Sequence, residues 1–310
     1  MTRAVLAPGK AMLIGEYAVL EGAPAVVAAV DVYAKAVLSD RPPASPFIEA
    51  AMRHAARELS DAPFGPYPSP NWPVPSVDTT AFLQKGKKLG VGSSAAATVA
   101  ATGALFSGAG LSLSDETVLA RVYDTAKRAH DEAQKQSGSG ADLWAATYGR
   151  VRVLGPWDRQ VESRPIPAHL RFVATSTSCS TARLLARYRH VRDQLDDAIA
   201  TLADAAKAFL AAWQHGDTRA LLSAVEAANL GYERLSEPLS ETLLTAEHVR
   251  IRDAALRAGG AAKPSGAGGG DLAVVFLPTL EAVKTFEADV QTLPLSVSPV
   301  GLCLEKENPV

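Results

Sequence analysis

Leu89-Gly90-Val91-Gly92-Ser93-Ser94-Ala95-Ala96-Ala97, continuing through alanine-rich sequence to Phe106, is the stretch on which the reading of this 310-residue chain turns. Two glycines let a backbone come close to a ligand, a serine pair opens a helix, and alanine propagates it. The first amides of a helix have no carbonyl behind them to bond, and they lie at the positive end of the helix dipole. Gly90 to Ala96 can therefore hold an anion on N–H groups, and a serine hydroxyl there can reach a phosphate-bound Mg2+. Standing alone, a Gly/Ser loop is more often a plain capped turn. It is not a P-loop, because no Gly-Lys-Ser/Thr follows, and it lacks the third spaced glycine of a dinucleotide fingerprint.

Two further glycine runs lie downstream. Lys263-Pro264-Ser265-Gly266-Ala267-Gly268-Gly269-Gly270-Asp271 ends directly on the apolar run Leu272 to Leu277. A flexible linker has no use between a helix and a buried strand, so a backbone pressed against a ligand is an equal alternative. Gly138-Ser139-Gly140-Ala141-Asp142 sets a carboxylate just after a helix break. That Asp is either a helix cap or an aimed acid.

Bulk composition restricts the classes available. Formal net charge is −2, with 47% hydrophobic and 21% charged residues, so no basic field points to nucleic acid or an anionic membrane. Phosphate binding must come from a local site. Two cysteines, Cys179 and Cys303, give neither a disulfide framework nor zinc spacing. No apolar run has signal-peptide or membrane-spanning length, and cytoplasmic residence is expected.

The order of elements is mixed α+β in both halves. The reading is a short strand Arg3–Ala7 ended by Pro8-Gly9, a strand Ala25–Leu38, a helix Ser45–Leu59, and extended proline-rich loop from Phe64 to Pro75. Helices follow at Asp115–Gln136 and Asp142–Tyr148, and strands at Val151–Leu154 and Arg171–Thr175. Ala182–Trp213 holds one or two amphipathic helices, with others at Thr218–Leu235, Ser240–Ala258 and Leu280–Val290. Leu272–Leu277 and Val297–Leu304 are strands. A boundary near 155–167 divides the chain into domains 1–160 and 161–310, a size suited to two units sharing a cleft.

A fourth segment, Pro8-Gly9-Lys10-Ala11-Met12-Leu13-Ile14-Gly15-Glu16-Tyr17-Ala18-Val19-Leu20 with Gly22 and Pro24, completes a set. Together with the Gly90–Ala97 loop and the Lys263–Asp271 run, it resembles the three ordered motifs of the GHMP superfamily, which includes galactokinase, homoserine kinase, mevalonate kinase and phosphomevalonate kinase. Ala129-His130-Asp131-Glu132-Ala133-Gln134, the Gly138–Asp142 segment and the closing Gly-Gly-Asp are most similar to the phosphomevalonate kinase branch. Thr175 to Thr181 resembles a hydroxyl-rich substrate-side segment of these enzymes. Val91 departs from the usual Leu, and Pro42–Pro75 matches nothing in the pattern.

The resemblance implies a two-domain fold: an N-terminal domain like ribosomal protein S5 domain 2, a ferredoxin-like C-terminal domain, and the active site between them. It implies ATP-dependent phosphorylation of phosphomevalonate to diphosphomevalonate, on the mevalonate route to isoprenoids. Mevalonate kinase, diphosphomevalonate decarboxylase and an inactive nucleotide-binding relative are the alternatives. By the same resemblance Lys10 and Asp142 are catalytic. Gly90, Gly92, Ser93, Ser94, Ala95 and Ala96 hold the ATP phosphates, and Ser94 ligates Mg2+ with Asp131 or Glu132 as possible acidic help. Lys10, Tyr17, His130, Ser139, Ser180, Lys263, Ser265, Gly266, Ala267 and Gly268 are the implied contacts of an acidic small-molecule acceptor. The protein would act as monomer or homodimer. Lys85, Lys87 and Lys88 are either a solvated basic turn or ligands. The remaining histidines and Trp72, Trp144, Trp157 and Trp213 are read as surface or packing residues.

Overall fold

The structure, a computed structural model, describes residues 3–40, 45–60, 72–84, 86–135, 138–155, 159–161 and 165–305. Most of the proline-rich loop, Lys85 and Trp157 lie outside the described residues.

Strand β1 (Val5–Ile14) is buried along its length except at Lys10, which is half-buried. It does not stop at Pro8-Gly9 as expected. The ladder to β2 (Ala25–Ser39) instead shifts register between Pro8 and Gly9. Proline cannot donate to a ladder, and a bulge absorbs that gap while the strand continues. Then come α1 (Pro46–Glu58), β3 (Val74–Asp78) and the short hairpin β4 (Leu83–Gln84) and β5 (Lys87–Lys88). Ser45 caps α1 by accepting from Ile48 N–H, with Pro46 in the first turn, as the sequence predicts.

Helix α2 (Ser93–Gly108) follows the glycine loop, then α3 (Glu116–Gln134), α4 (Ala141–Tyr148), β6 (Val151–Leu154) and β7 (Arg159–Val161). Asp115 caps α3. Helix α2 is apolar nearly all round and packs on β1, β2, α1, α3 and α4. Its Leu105 and Phe106 are fully buried, each contributing about 1.5–3 kcal/mol by removal from water. The core thus forms around the helix whose first turn opens the glycine loop.

The second half contains β8 (His169–Ala174), α5 (Thr181–His190), α6 (Asp196–His215), α7 (Thr218–Ser236), α8 (Ala246–Arg257), β9 (Ala261–Pro264), β10 (Leu272–Leu277), α9 (Leu280–Asp289) and β11 (Cys303–Leu304). The stretch read as one or two helices from Ala182 is two, α5 and α6. Strand β9 runs into the Lys263–Asp271 motif at Lys263 and Pro264, where no strand is expected. All four of its residues are buried, and pairing with β10 makes it a strand.

Two main sheets result. The first runs β11-β1-β2-β6-β7. Strand β1 occupies one edge of β2, so β3 and β6 share the other, at Lys35–Ser39 and Ala25–Ala28 respectively. The second sheet is antiparallel, β8-β10-β9. Residues 291–295 run beside β8, where Leu293 N–H donates to Phe172 O at 2.7 Å. The final strand is shorter than Val297–Leu304. Only Cys303 and Leu304 pair, with β1, and Val297 makes an isolated bridge to Val30. Strand β11, near the C-terminal end of the chain, therefore joins the first sheet. Among the described residues no helix is long and apolar enough to cross a membrane.

Candidate active site

The start of α2 is built by backbone. Gly90 and Gly92 have φ of 74° and 76°, and Gly92 stands at the N-cap with no side-chain cap. A Cβ on Gly90 would meet Asp271 Cβ at 2.6 Å, and one on Gly92 would meet Lys10 Cγ at 2.9 Å. Only glycine combines a left-handed backbone with that closeness. Val91 O accepts from Lys10 N–H at 2.8 Å, which ties the loop to β1. The helical ladder begins with Ala96 N–H donating to Gly92 O at 3.1 Å. The amides of Ser93, Ser94 and Ala95 have no carbonyl within the helix to bond, which is the geometry an anion site needs. Ala96 was expected among the phosphate contacts. Its amide is spent in the helix and its side chain is buried in the core, so it drops out.

A cleft of about 710 Å³ opens at this helix start. Its lining brings together Lys10, Tyr17, Gly90, Gly92, Ser93, Ser94, His130, Asp131, Ser139, Asp142, Ser180, Gly266 and Ala267 from the expected set. Lys10 reaches in from β1 across Gly92, and its Nζ lies 3.7 Å from where a Cβ on Gly266 would stand. Asp142, half-buried, is the second residue of α4, held after the left-handed Gly140; its Oδ1 accepts from Leu143 N–H at 2.9 Å. It is not the N-cap, which is Gly140, and it lines the cleft. His130 Nε2 lies 3.3 Å from Ser94 Oγ and 3.3 Å from Gln134 Nε2.

Tyr17 OH donates to Ala267 O at 2.7 Å, and burial pushes its phenol well above the ordinary range, so it is a fixed donor. Ser139 Oγ accepts from Ala141 N–H at 3.3 Å, and Ser180 caps α5 by accepting from Arg183 N–H at 3.3 Å. Ala95 contributes an amide only, because its side chain is buried.

Several expected contacts lie elsewhere. Lys263 is 1% exposed; its Nζ donates to Glu16 Oε1 at 2.5 Å and to Pro264 O at 2.6 Å. It is a buried ion-pair partner across the seam between the sheets and does not line the cleft. Burial holds its ammonium below the ordinary lysine range, with Glu16 opposing. Ser265 is spent on backbone: its Oγ accepts from Met12 N–H at 2.9 Å and donates to Met12 O at 3.0 Å. Gly268 turns inward, where a Cβ would meet Leu243 at 3.0 Å.

Glu132 faces away from the cleft, onto Arg53 at 2.6 Å and His54 at 2.7 Å. Asp131 lines the cleft but is paired with Lys127. Among the described residues no group of three His, Cys, Asp or Glu side chains could hold a metal. A Mg2+ that arrives on phosphate oxygens needs few protein ligands, and the half-buried Ser94 hydroxyl at the anion site fits that need.

The sequence reading missed Glu16 and Asp271 as site residues. Both line the cleft. Glu16 carried a signal, since it is the one charge in the apolar run Met12–Leu20. Asp271 has φ of 64°, unusual for a non-glycine residue, and abuts Gly90. Of the lysine trio, Lys88 lines the cleft. Trp213 is buried in the core, where its Nε1 donates to Pro165 O at 3.2 Å, which fits its packing role.

Residues 78–150, which contain the anion site and Asp142, match the GHMP kinases N terminal domain. The chain is 29% identical to a phosphomevalonate kinase of Streptomyces sp. (strain CL190), over 94% of this chain and 96% of that one. Among solved structures, the Lin0012 protein of Listeria innocua superposes with a TM-score of 0.82 at 22% identity, covering 97% of this chain and 99% of its own. Phosphomevalonate kinase of Streptococcus pneumoniae, in complex with phosphomevalonate and AMPPNP, superposes with a TM-score of 0.74 at 18% identity, over 94% and 99%.

Proposed function

We propose that this chain, an ATP-dependent phosphotransferase of the GHMP kinase family, moves the γ-phosphoryl group of ATP onto the phosphate of phosphomevalonate. The observation that carries the reading is the convergence of Lys10, Asp142 and the opening amides of α2 on one cleft. The Streptomyces relative, similar along nearly its whole length, supports the choice of acceptor.

Phosphoryl transfer asks a protein for alignment and for positive charge where negative charge spreads over the transferred group. The amides of Ser93, Ser94 and Ala95 take the ATP phosphates, with the α2 dipole behind them. Magnesium would add positive charge at the phosphate oxygens, with the Ser94 hydroxyl as its protein ligand. Lys10 projects past Gly92 toward Gly266, a course that suits an ammonium standing between the triphosphate and the acceptor. There it neutralises charge on the group in flight.

Asp142 enters from α4. A phosphate acceptor is already anionic at neutral pH, so removing a proton is a minor task. Asp142 then orients the acceptor and Lys10. For an alcohol acceptor it would serve as general base. His130, Ser139 and Ser180 supply the remaining polar contacts around the acid.

The test is ADP release with phosphomevalonate, mevalonate, diphosphomevalonate, homoserine and galactose as separate acceptors. Turnover with phosphomevalonate well above the others is the expected result. Strong turnover with mevalonate and none with phosphomevalonate overturns the acceptor. CO2 release along with ADP identifies a decarboxylase, and ATP binding without turnover on any acceptor identifies an inactive relative.

A further inference from the structure

Lys263 and Glu16 take no part in the chemistry described above, yet they sit beside it. Lys263 comes from β9 in the second sheet and Glu16 from just beyond β1 in the first, and their side chains are 0% and 3% exposed. Lys263 Nζ also stands 5.7 Å over the Tyr232 ring. Glu16 Oε1 accepts a second hydrogen bond, from Gly266 N–H at 3.2 Å. Glu16 Oε2 is buried with no hydrogen-bond partner among the described residues, and Glu16 lines the cleft.

Gly266 is the common neighbour. Its amide bonds Glu16, and the ammonium of Lys10 lies 3.7 Å from the place a Cβ on Gly266 would occupy. One glycine therefore separates a carboxylate with an unused oxygen from the cation that the transferred phosphate needs. The two lysines also feel one another. Burial is the main cause that lowers Lys263, Glu16 opposes it, and the charge of Lys10 adds to the lowering.

Stability alone does not explain the pair. A buried ion pair is often no more stabilising than apolar residues of the same volume, whereas a buried carboxylate that loses its partner seeks another cation. We propose that Lys263 is a positioning residue: by engaging and neutralising Glu16 it keeps that carboxylate from capturing Lys10, and so leaves the Lys10 ammonium available to the phosphoryl group. The proposal rests on the reading of Lys10 as the phosphoryl-side cation.

The test is a double-mutant cycle on the full chain, with ATP and whichever acceptor of the panel turns over fastest. Lys263→Met, Glu16→Gln, the Glu16→Gln/Lys263→Met double variant and Lys10→Met are compared by kcat, KM and Tm. Lys263→Met is expected to lose about 100-fold in kcat, the scale of a misplaced reacting group. The double variant, with the carboxylate charge also gone, is expected to recover at least about tenfold of that loss. A purely structural pair would lower Tm in Lys263→Met and restore it in the double variant while kcat per folded enzyme stayed at the wild-type value; that result overturns the proposal, as does a double variant as slow as Lys263→Met.

If Lys263→Met does not fold, the double variant decides by itself. Turnover well above Lys10→Met supports the proposal, and turnover equal to Lys10→Met sinks it. Undiminished activity in Lys10→Met refutes the reading of Lys10 itself. A slow Lys10→Met combined with no rescue in the double variant refutes only the role of Lys263.

Discussion

Replacing Gly92 by alanine tests how the phosphate loop and Lys10 are placed relative to one another. The backbone there has φ of 76°, where an added Cβ costs about 1–2 kcal/mol in any L-residue. That Cβ also arrives 2.9 Å from Lys10 Cγ and 3.3 Å from its Cε. The Cγ sits near the root of the side chain, so the whole lysine must swing to make room. A displacement of about 1 Å at a reacting group lowers rate about 100-fold, equivalent to about 2.7 kcal/mol. Gly110→Ala is the control: its φ is 86°, and a Cβ there meets nothing within 4 Å. Both variants should therefore lose about 2–4 °C in Tm per kcal/mol of backbone strain. Only Gly92→Ala should lose kcat, measured by steady-state ADP release. If Gly92→Ala shows the same Tm loss as the control and keeps wild-type kcat, the placement of Lys10 by Gly92 is refuted.

Other consequences can be measured directly. Asp142→Asn should lower kcat about tenfold if Asp142 only orients an anionic acceptor; a loss of about 10³-fold or more with a new pH dependence would mark a general base and an alcohol acceptor. Ser94→Ala should raise the Mg2+ concentration for half-maximal rate about tenfold, in a Mg2+ titration at saturating ATP, while KM for the acceptor holds. His248 is buried with its pKa lowered from 6.5 to about 4, mainly by burial. The unfolded chain thus binds the proton first, and the stability it contributes is complete above pH 6.5 and is lost as pH falls toward 4, by no more than about 3 kcal/mol. Urea unfolding at pH 7 and pH 4.5 should show a smaller acid loss in His248→Gln, which keeps a side-chain acceptor for the Thr245 amide that His248 Nδ1 now caps.

What the sequence made legible was local chemistry. Gly90 and Gly92 before Ser93 announce a helix start with free amides, because the requirement for a left-handed backbone and the capping pattern are both contained in a few residues. Ser45-Pro46 marks its helix in the same way. What remained hidden depends on partners far along the chain. Lys263 next to a glycine run looks like a substrate cation until Glu16, 247 residues away, is seen to occupy it. Ser265 reads as a substrate contact for the same reason, with Met12 as the distant partner. Strand β9, Ala261–Pro264, reads as loop because its small residues and glycine flanks carry no strand periodicity; only β10 beside it makes it a strand. Pro8-Gly9 has the local look of a strand end, and the ladder on β2 carries the strand through it. Asp271 closes the third glycine motif, but its contact with Gly90 across the seam cannot be read from either segment alone.

The most direct measurement is a crystal structure of the chain with a non-hydrolysable ATP analogue and phosphomevalonate. The account predicts the triphosphate on the amides of Ser93 to Ala95, its terminal phosphate within hydrogen-bond reach of Lys10 Nζ, and the acceptor phosphate between Lys10 and Asp142. A triphosphate bound away from the start of α2, or an acceptor on the far side of the cleft from Asp142, would contradict it.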